Sequence, residues 1–232
     1  MGQSQRRGAG APEGDWSRYD LEAMGLRVLS GRRLGFSQRR AGFVALASDI
    51  DEDTDVAAVW LVHHPGSADS AQHTLDFERG TGGWRLLGGG GNSAEEFSLA
   101  GRPLASVHGP TSMMRLVSSS ASRSRTDREK DATGLGVAAA GWVACAGFRV
   151  AAEVGHLQAS GRSIPVPRHG FVIVAWRSPP ALARPLIVAV GKDGSRLTEL
   201  GPHDALDSLT WDSIERALLE DSPPDPRRPG AD

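Results

Sequence analysis

Short runs of β-branched and aromatic residues recur about every ten residues along this chain, divided by Gly, Pro and Asp turns. That rhythm allows few architectures. AGFVALAS (41–48) and VAAVWLV (56–62) flank an acidic turn, DIDEDTD. HTLDFER (73–79) alternates, setting Leu75 and Phe77 on one face and Asp76 and Glu78 on the other. In FRVAAEV (148–154), Phe148, Val150, Ala152 and Val154 oppose Arg149 and Glu153, the pattern of a half-buried strand. GFVIVAW (170–176) and PLIVAV (185–190) are apolar on both faces and read as central strands. KDGS (192–195) is a hairpin signal, with Asp193-Gly194 supplying the positive φ of a tight turn. The expected fold is mostly β: an antiparallel sandwich or open barrel of about nine strands. Trp60, Trp84, Trp142 and Trp176 each fall on a different strand and read as core.

Two helices are expected. Ser93 and Glu96 form a capping box for a short mid-chain helix over 94–99. A C-terminal helix over 211–220 has Thr210 as N-cap and places Trp211, Ile214 and Leu218 on one stripe, a candidate partner-binding face.

Composition sets the domain plan. Residues 1–19 and 222–232 read as disordered tails, and 118–133, SSSASRSRTDREKDAT, as a flexible loop interrupting a single β-rich domain over 20–221. With 39% hydrophobic and 23% charged residues the chain is that of a soluble globular protein. Its formal charge of -2 gives no global pull toward nucleic acid or anionic lipid. Lys130 and Lys192 are the only lysines among 26 basic residues, a bias that fits a GC-rich bacterial genome rather than selection for phosphate binding. The lone Cys145, in the apolar run GWVACAGF, excludes an intramolecular disulfide framework and reads as a buried thiol. No secretory pattern opens the sequence, and the longest nearly apolar run, 137–148, falls short of the roughly twenty residues a spanning helix needs. A cytoplasmic setting without a membrane is therefore expected.

No catalytic or ligand-binding motif in the sequence is complete. The run WRLLGGGGNSAEEF presents Gly88, Gly89, Gly90 and Gly91 ahead of a helix start, as a phosphate-cradling loop would. A dinucleotide fingerprint counted from Gly88 has Ser93 where its last glycine belongs, and Glu95 and Glu96 occupy the helix's positive end. A flexible strand-to-helix loop is the preferred reading. DIDEDTD spaces Asp49, Asp51 and Asp53 like an EF-hand, but Thr54 replaces the turn glycine and Trp60 the bidentate glutamate, so a solvated acidic turn is the preferred reading. His63, His64, Asp69 and His73, in a loop between two strands, are candidate metal ligands or general bases, but they match no zinc-site spacing, and solvent-exposed loop histidines are the preferred reading. Neighbours on a strand point to opposite faces, so His63 and His64 are not expected to share a ligand. In GRRLGFSQRR, Arg32, Arg33, Arg39 and Arg40 face a phosphate backbone or solvent; nucleic acid is the disfavoured partner, since Phe36 alone interleaves them. GNSAE has Glu95 where a serine nucleophile elbow needs glycine.

These readings favour a non-catalytic, cytoplasmic protein-interaction or regulatory module without a cofactor and with a protein as partner. The alternative is a small-molecule or metal-dependent enzyme or ligand-binding protein that uses the His63 to His73 and Gly88 to Gly91 loops.

Overall fold

The computed structural model describes residues 18–93, 99, 101–105, 113–125, 141–178 and 184–201. Among them are two helices, α1 (Arg18–Leu29) and α2 (Phe36–Arg40), and eleven strands. The first sheet is a meander of β1 (Phe43–Asp51), β2 (Val56–His63), β3 (Ala71–Gly80) and β4 (Gly83–Ser93). The second holds β5 (Met114–Arg123), β6 (Trp142–Val150) and β9 (Phe171–Ser178), in the order β5-β6-β9. The third joins β7 (Val154–Ala159), β8 (Arg162–Pro165), β10 (Ile187–Gly191) and β11 (Arg196–Leu200), in the order β11-β10-β7-β8. Every pairing is antiparallel. The fold is mostly β and sandwich-like, as the strand rhythm implied.

Three apolar clusters show how the sheets stack. Met24 of α1 and Leu34 pack with Phe43, Val59, Leu61, Leu75 and Phe77 on the outer face of the first sheet. Leu46, Trp60 and Val62 from its inner face meet Cys145, Ile173 and Ala175 of the second sheet. The opposite face of the second sheet, with Ala146, Phe148, Val172 and Val174, meets Leu157, Ile164, Ile187 and Ala189 of the third. The second sheet is thus a middle layer, and β6 and β9 are apolar on both faces for that reason. β9 is an edge of its sheet, so its GFVIVAW run reflects the central layer and not a central strand position.

Four tryptophans occupy four strands, β2, β4, β6 and β9. Trp60 is fully buried, and Gly147 of β6 makes room for it: a Cβ there would sit 2.7 Å from the indole. Trp84 is half-buried under the Arg79 guanidinium, 4.4 Å from its ring centroid. The β10–β11 hairpin closes at Gly194, φ 85°, with the Gly191 amide donating to Ser195 O at 2.7 Å.

Several expectations are corrected. α1 starts at Arg18, inside the expected tail, whose residues 1–17 lie outside the described residues. A central glycine lowers helix propensity in α1. The structure uses Gly25 for contact, because a Cβ there would overlap the Phe77 ring of β3. FRVAAEV is not one strand: β6 ends at Val150 and β7 starts at Val154. The expected loop 118–133 begins as strand, since β5 runs to Arg123. Ser93, the expected helix cap, is the last residue of β4, and Leu99 is exposed and non-helical. The stripe of Trp211, Ile214 and Leu218 lies outside the described residues, as do 94–98 and 126–133. No helix among the described residues is long and apolar enough to cross a membrane.

Candidate functional site

Gly88, Gly89, Gly90 and Gly91 are not a loop. They lie within β4, in register with Asp76, Leu75, Thr74 and His73 of β3. Strand interiors disfavour glycine unless another backbone approaches closely, and here β5 does. A Cβ on Gly88 would sit 2.7 Å from Ser122 Oγ, and one on Gly90 would sit 3.3 Å from Ser119 O. Gly89 is tighter still, since its Cβ would overlap the Thr74 carbonyl. These amides belong to a sheet and do not form a phosphate cradle.

The bare strand brings the serines of β5 onto the carboxylates of β3. Gln72, Thr74, Asp76 and Glu78, alternating along β3, face the second sheet and are all buried. Ser120 Oγ donates to Asp76 Oδ1 and Ser122 Oγ to Asp76 Oδ2, both at 2.7 Å, and Cys145 Sγ lies 3.1 Å from Ser120 Oγ. Burial pushes the Asp76 carboxyl up to about 6, against the smaller opposing effect of the serine hydroxyls. The Cys145 thiol is held far above its usual range by the same burial and by the neighbouring Asp76 charge. Cys145 is therefore an inert thiol.

Two further carboxylates join sheets through arginine. Glu78 accepts Arg177 Nη2 of β9 at 2.7 Å, Ser124 Oγ at 2.6 Å and the Arg125 amide at 3.1 Å. Asp49 of β1 accepts Arg162 Nη1 of β8 at 2.8 Å and the Ala175 amide of β9 at 2.8 Å. Arg162 also donates to Ile50 O and Ala175 O, so one guanidinium ties together all three sheets. Burial raises the Asp49 carboxyl even with Arg162 beside it. Asp49 and Asp51 are consequently ion-pair partners in a packed joint, not residues of a solvated acidic turn.

The histidines gather at the other end of the first sheet. His63 ends β2 and bonds Ala41 O through Nε2 at 2.9 Å. His64 has left the strand, φ 47°, and its ring turns back to lie 4.0 Å from that of His63. The alternation that kept the two apart in sequence does not hold here, because His64 is the first residue of the turn. Gly42 is required beneath it: φ is 87°, and a Cβ would meet His64 Nδ1 at 2.5 Å. His73 faces the same side as His63, both near Phe43, and borders Gly91. Asp69 is exposed in the turn, its amide donating to Ser67 Oγ. Among the described residues no three His, Cys, Asp or Glu side chains are placed to hold one metal ion together.

Burial lowers the affinity of His63 and His73 for protons, and the imidazolium charge of a neighbour, His64 for His63 and His63 for His73, lowers it further. A base whose folded pKa is depressed binds fewer protons folded than unfolded, so stability falls as pH drops below 6.5. Replacing both by Gln is expected to flatten that part of the stability-pH curve in urea titrations. An unchanged slope would place its origin elsewhere.

A surface cleft of about 470 Å³ lies at the β7–β8 turn, lined by Ser160, Gly161, Arg162, Pro185, Leu186 and Val188. Leu186 is one of three large apolar side chains exposed among the described residues. Arg162 is already engaged by Asp49, so the cleft has no free guanidinium to offer.

The arginines of GRRLGFSQRR, joined by Arg27, form a strongly charged surface among the described residues. Arg27, Arg32, Arg33, Arg39 and Arg40 are all exposed. Leu34, buried against the first sheet, pins the connector between the two helices. Arg27 Nη2 donates to the backbone carbonyl of Arg33 at 3.3 Å, which holds the Arg27 guanidinium against the connector that carries Arg32 and Arg33. Residues 24–48 contain five arginines and no acid, so a chain of net charge -2 carries -7 over the rest. Glu52, Asp53 and Asp55 follow the far end of β1, a strand about 27 Å long at the usual rise. Arg79 pairs there with Glu52 at 2.6 Å and Asp55 at 3.4 Å. The first sheet is therefore polarised end to end.

No family model, curated protein or solved structure matches the chain.

The carboxylate-serine layer had a signal in sequence. Ser118, Ser120, Ser122 and Ser124 repeat at strand spacing inside SSSASRS, as Asp76 and Glu78 do in HTLDFER.

Proposed function

We propose that this chain is a non-catalytic protein-interaction or regulatory module, and that the arginine-rich end of its first sheet is the contact surface for an acidic protein segment. The observation that carries the reading is the set of five exposed arginines, none of them in an ion pair among the described residues. Like charges at one tip repel one another, and an anionic partner relieves that cost while steering its own approach. Arginine suits the task because its planar fork matches a carboxylate in a bidentate pair. The buried carboxylates support the same reading from the other side, being bonded across sheets by named partners. A cytoplasmic setting goes with this proposal and rests on the single, buried cysteine thiol.

The test is fluorescence anisotropy with a labelled polyglutamate peptide of about twenty residues, beside a DNA duplex of equal charge. Binding of the peptide that weakens with salt, and at least tenfold in R32E/R33E/R39E/R40E, is the expected result. Tighter binding of the duplex would replace the acidic protein by a nucleic acid. Identical behaviour of wild type and variant would remove this surface from consideration.

A further inference from the structure

We propose that Asp76 is a proton-operated latch between the first and second sheets, holding β5 on β3 while it carries a proton and loosening that strand when it ionises. The argument begins with what faces it. β5 contributes Ser120 and Ser122, β6 contributes the Cys145 thiol, and the register neighbours on β2 and β4 are Ala58 and Gly88. Among the described residues no arginine, lysine or histidine bonds to it. The nearest acid along β3 is Glu78, which is matched by Arg177 at 2.7 Å and Arg85 at 3.6 Å. Asp49 is likewise matched by Arg162. Of the three sheet-joining carboxylates, Asp76 is the one without a cation, and it is fully buried.

An ion in that position loses its hydration without gaining a countercharge. The neutral acid does not, and the surrounding hydroxyls accommodate both forms. When Asp76 is ionised, Ser120 donates to Oδ1 and the Cys145 thiol donates to Ser120 Oγ. When it is protonated, the Asp76 hydroxyl donates to Ser120 Oγ and the Ser120 hydrogen turns to Cys145 Sγ, 3.1 Å away. Asp76 and Ser120 therefore keep hydrogen-bond partners in each state; the thiol hydrogen, a weak donor, is the one displaced, and the buried charge is the main difference between the two. The glycine strand lets β5 close over the site, and Asp76 has no exposed surface.

The direction follows from linkage. With the folded carboxyl raised from 3.8 to about 6, the folded state holds a proton that the unfolded chain has released over that interval. The stability it confers is complete below pH 3.8 and is lost as pH rises through about 6. The folding equilibrium constant of wild type, taken relative to Asp76→Asn, is expected to fall roughly fiftyfold between pH 4 and 7, which is about 2 kcal/mol. Taking the ratio removes the opposing contribution of His63 and His73. A ratio that stays constant would overturn the proposal.

Two measurements on the wild-type chain stand if the variant does not fold. Carbon-13 NMR of the Asp76 carboxyl should show a midpoint near 6, and a midpoint below 4 would overturn the proposal. Alkylation of Cys145, which lies under Ser120, reports on opening of the latch. Its rate, normalised at each pH to the unfolded chain, is expected to rise at least tenfold from pH 5 to 7. A carboxyl that titrates near 6 while Cys145 protection stays constant would also overturn it.

Discussion

Gly89→Ala should be among the most damaging single-methyl additions this protein can suffer, costing at least about 3 kcal/mol in urea denaturation. The added Cβ would overlap the Thr74 carbonyl on the paired strand. That obstacle is backbone, so no rotamer change relieves it. The sheet must break its β3–β4 pairing or shift β4, and a shift carries Gly88 and Gly90 away from Ser122 and Ser119. Gly82→Ala is the matched control. Gly82 is exposed in the β3–β4 turn with open space around its Cβ, so the substitution should be neutral or stabilise by up to about 1 kcal/mol through the unfolded chain. Equal effects at 82 and 89 would mean that the glycine run does not mark a close approach of backbones.

That contrast also shows where sequence reading succeeds and where it stops. The strand rhythm, the Asp193-Gly194 turn and one tryptophan per strand were legible because each depends on local pattern alone. The run of four glycines read as a loop because glycine is depleted in strands, and nothing local announces that β5 will lie across it. SSSASRS read as disordered for a related reason: a polar strand is indistinguishable from a linker until its partner is known. Its partner is Asp76, on a strand more than forty residues earlier. The same non-local pairing hid the buried acids of HTLDFER, whose two faces are both covered, one by α1 and the other by the second sheet. His64 escaped the alternation rule through its positive φ, a property the sequence HHPG does not declare.

Arg162→Met should cost about 3–5 kcal/mol at pH 7, because it leaves Asp49 and Asp51 buried without their cation. The guanidinium also donates to Ile50 O and Ala175 O, so part of the loss is two carbonyls left without that donor. Adding Asp49→Asn should recover part of it, since the amide oxygen still accepts the Ala175 amide while the charge is gone. A double-mutant cycle in urea is expected to show strong coupling between positions 49 and 162. The pH dependence separates charge from packing. Burial already raises the Asp49 carboxyl with Arg162 present, and removing the guanidinium raises it further. The acid then takes up a proton at a higher pH than in the wild type, and the penalty of Arg162→Met should be smaller at pH 5 than at pH 7. In Asp49→Asn/Arg162→Met that difference between the two pH values should largely disappear. A penalty equal at both pH values in the single variant would mean that the carbonyl bonds and the packed stem of Arg162, rather than its charge, hold the three sheets together.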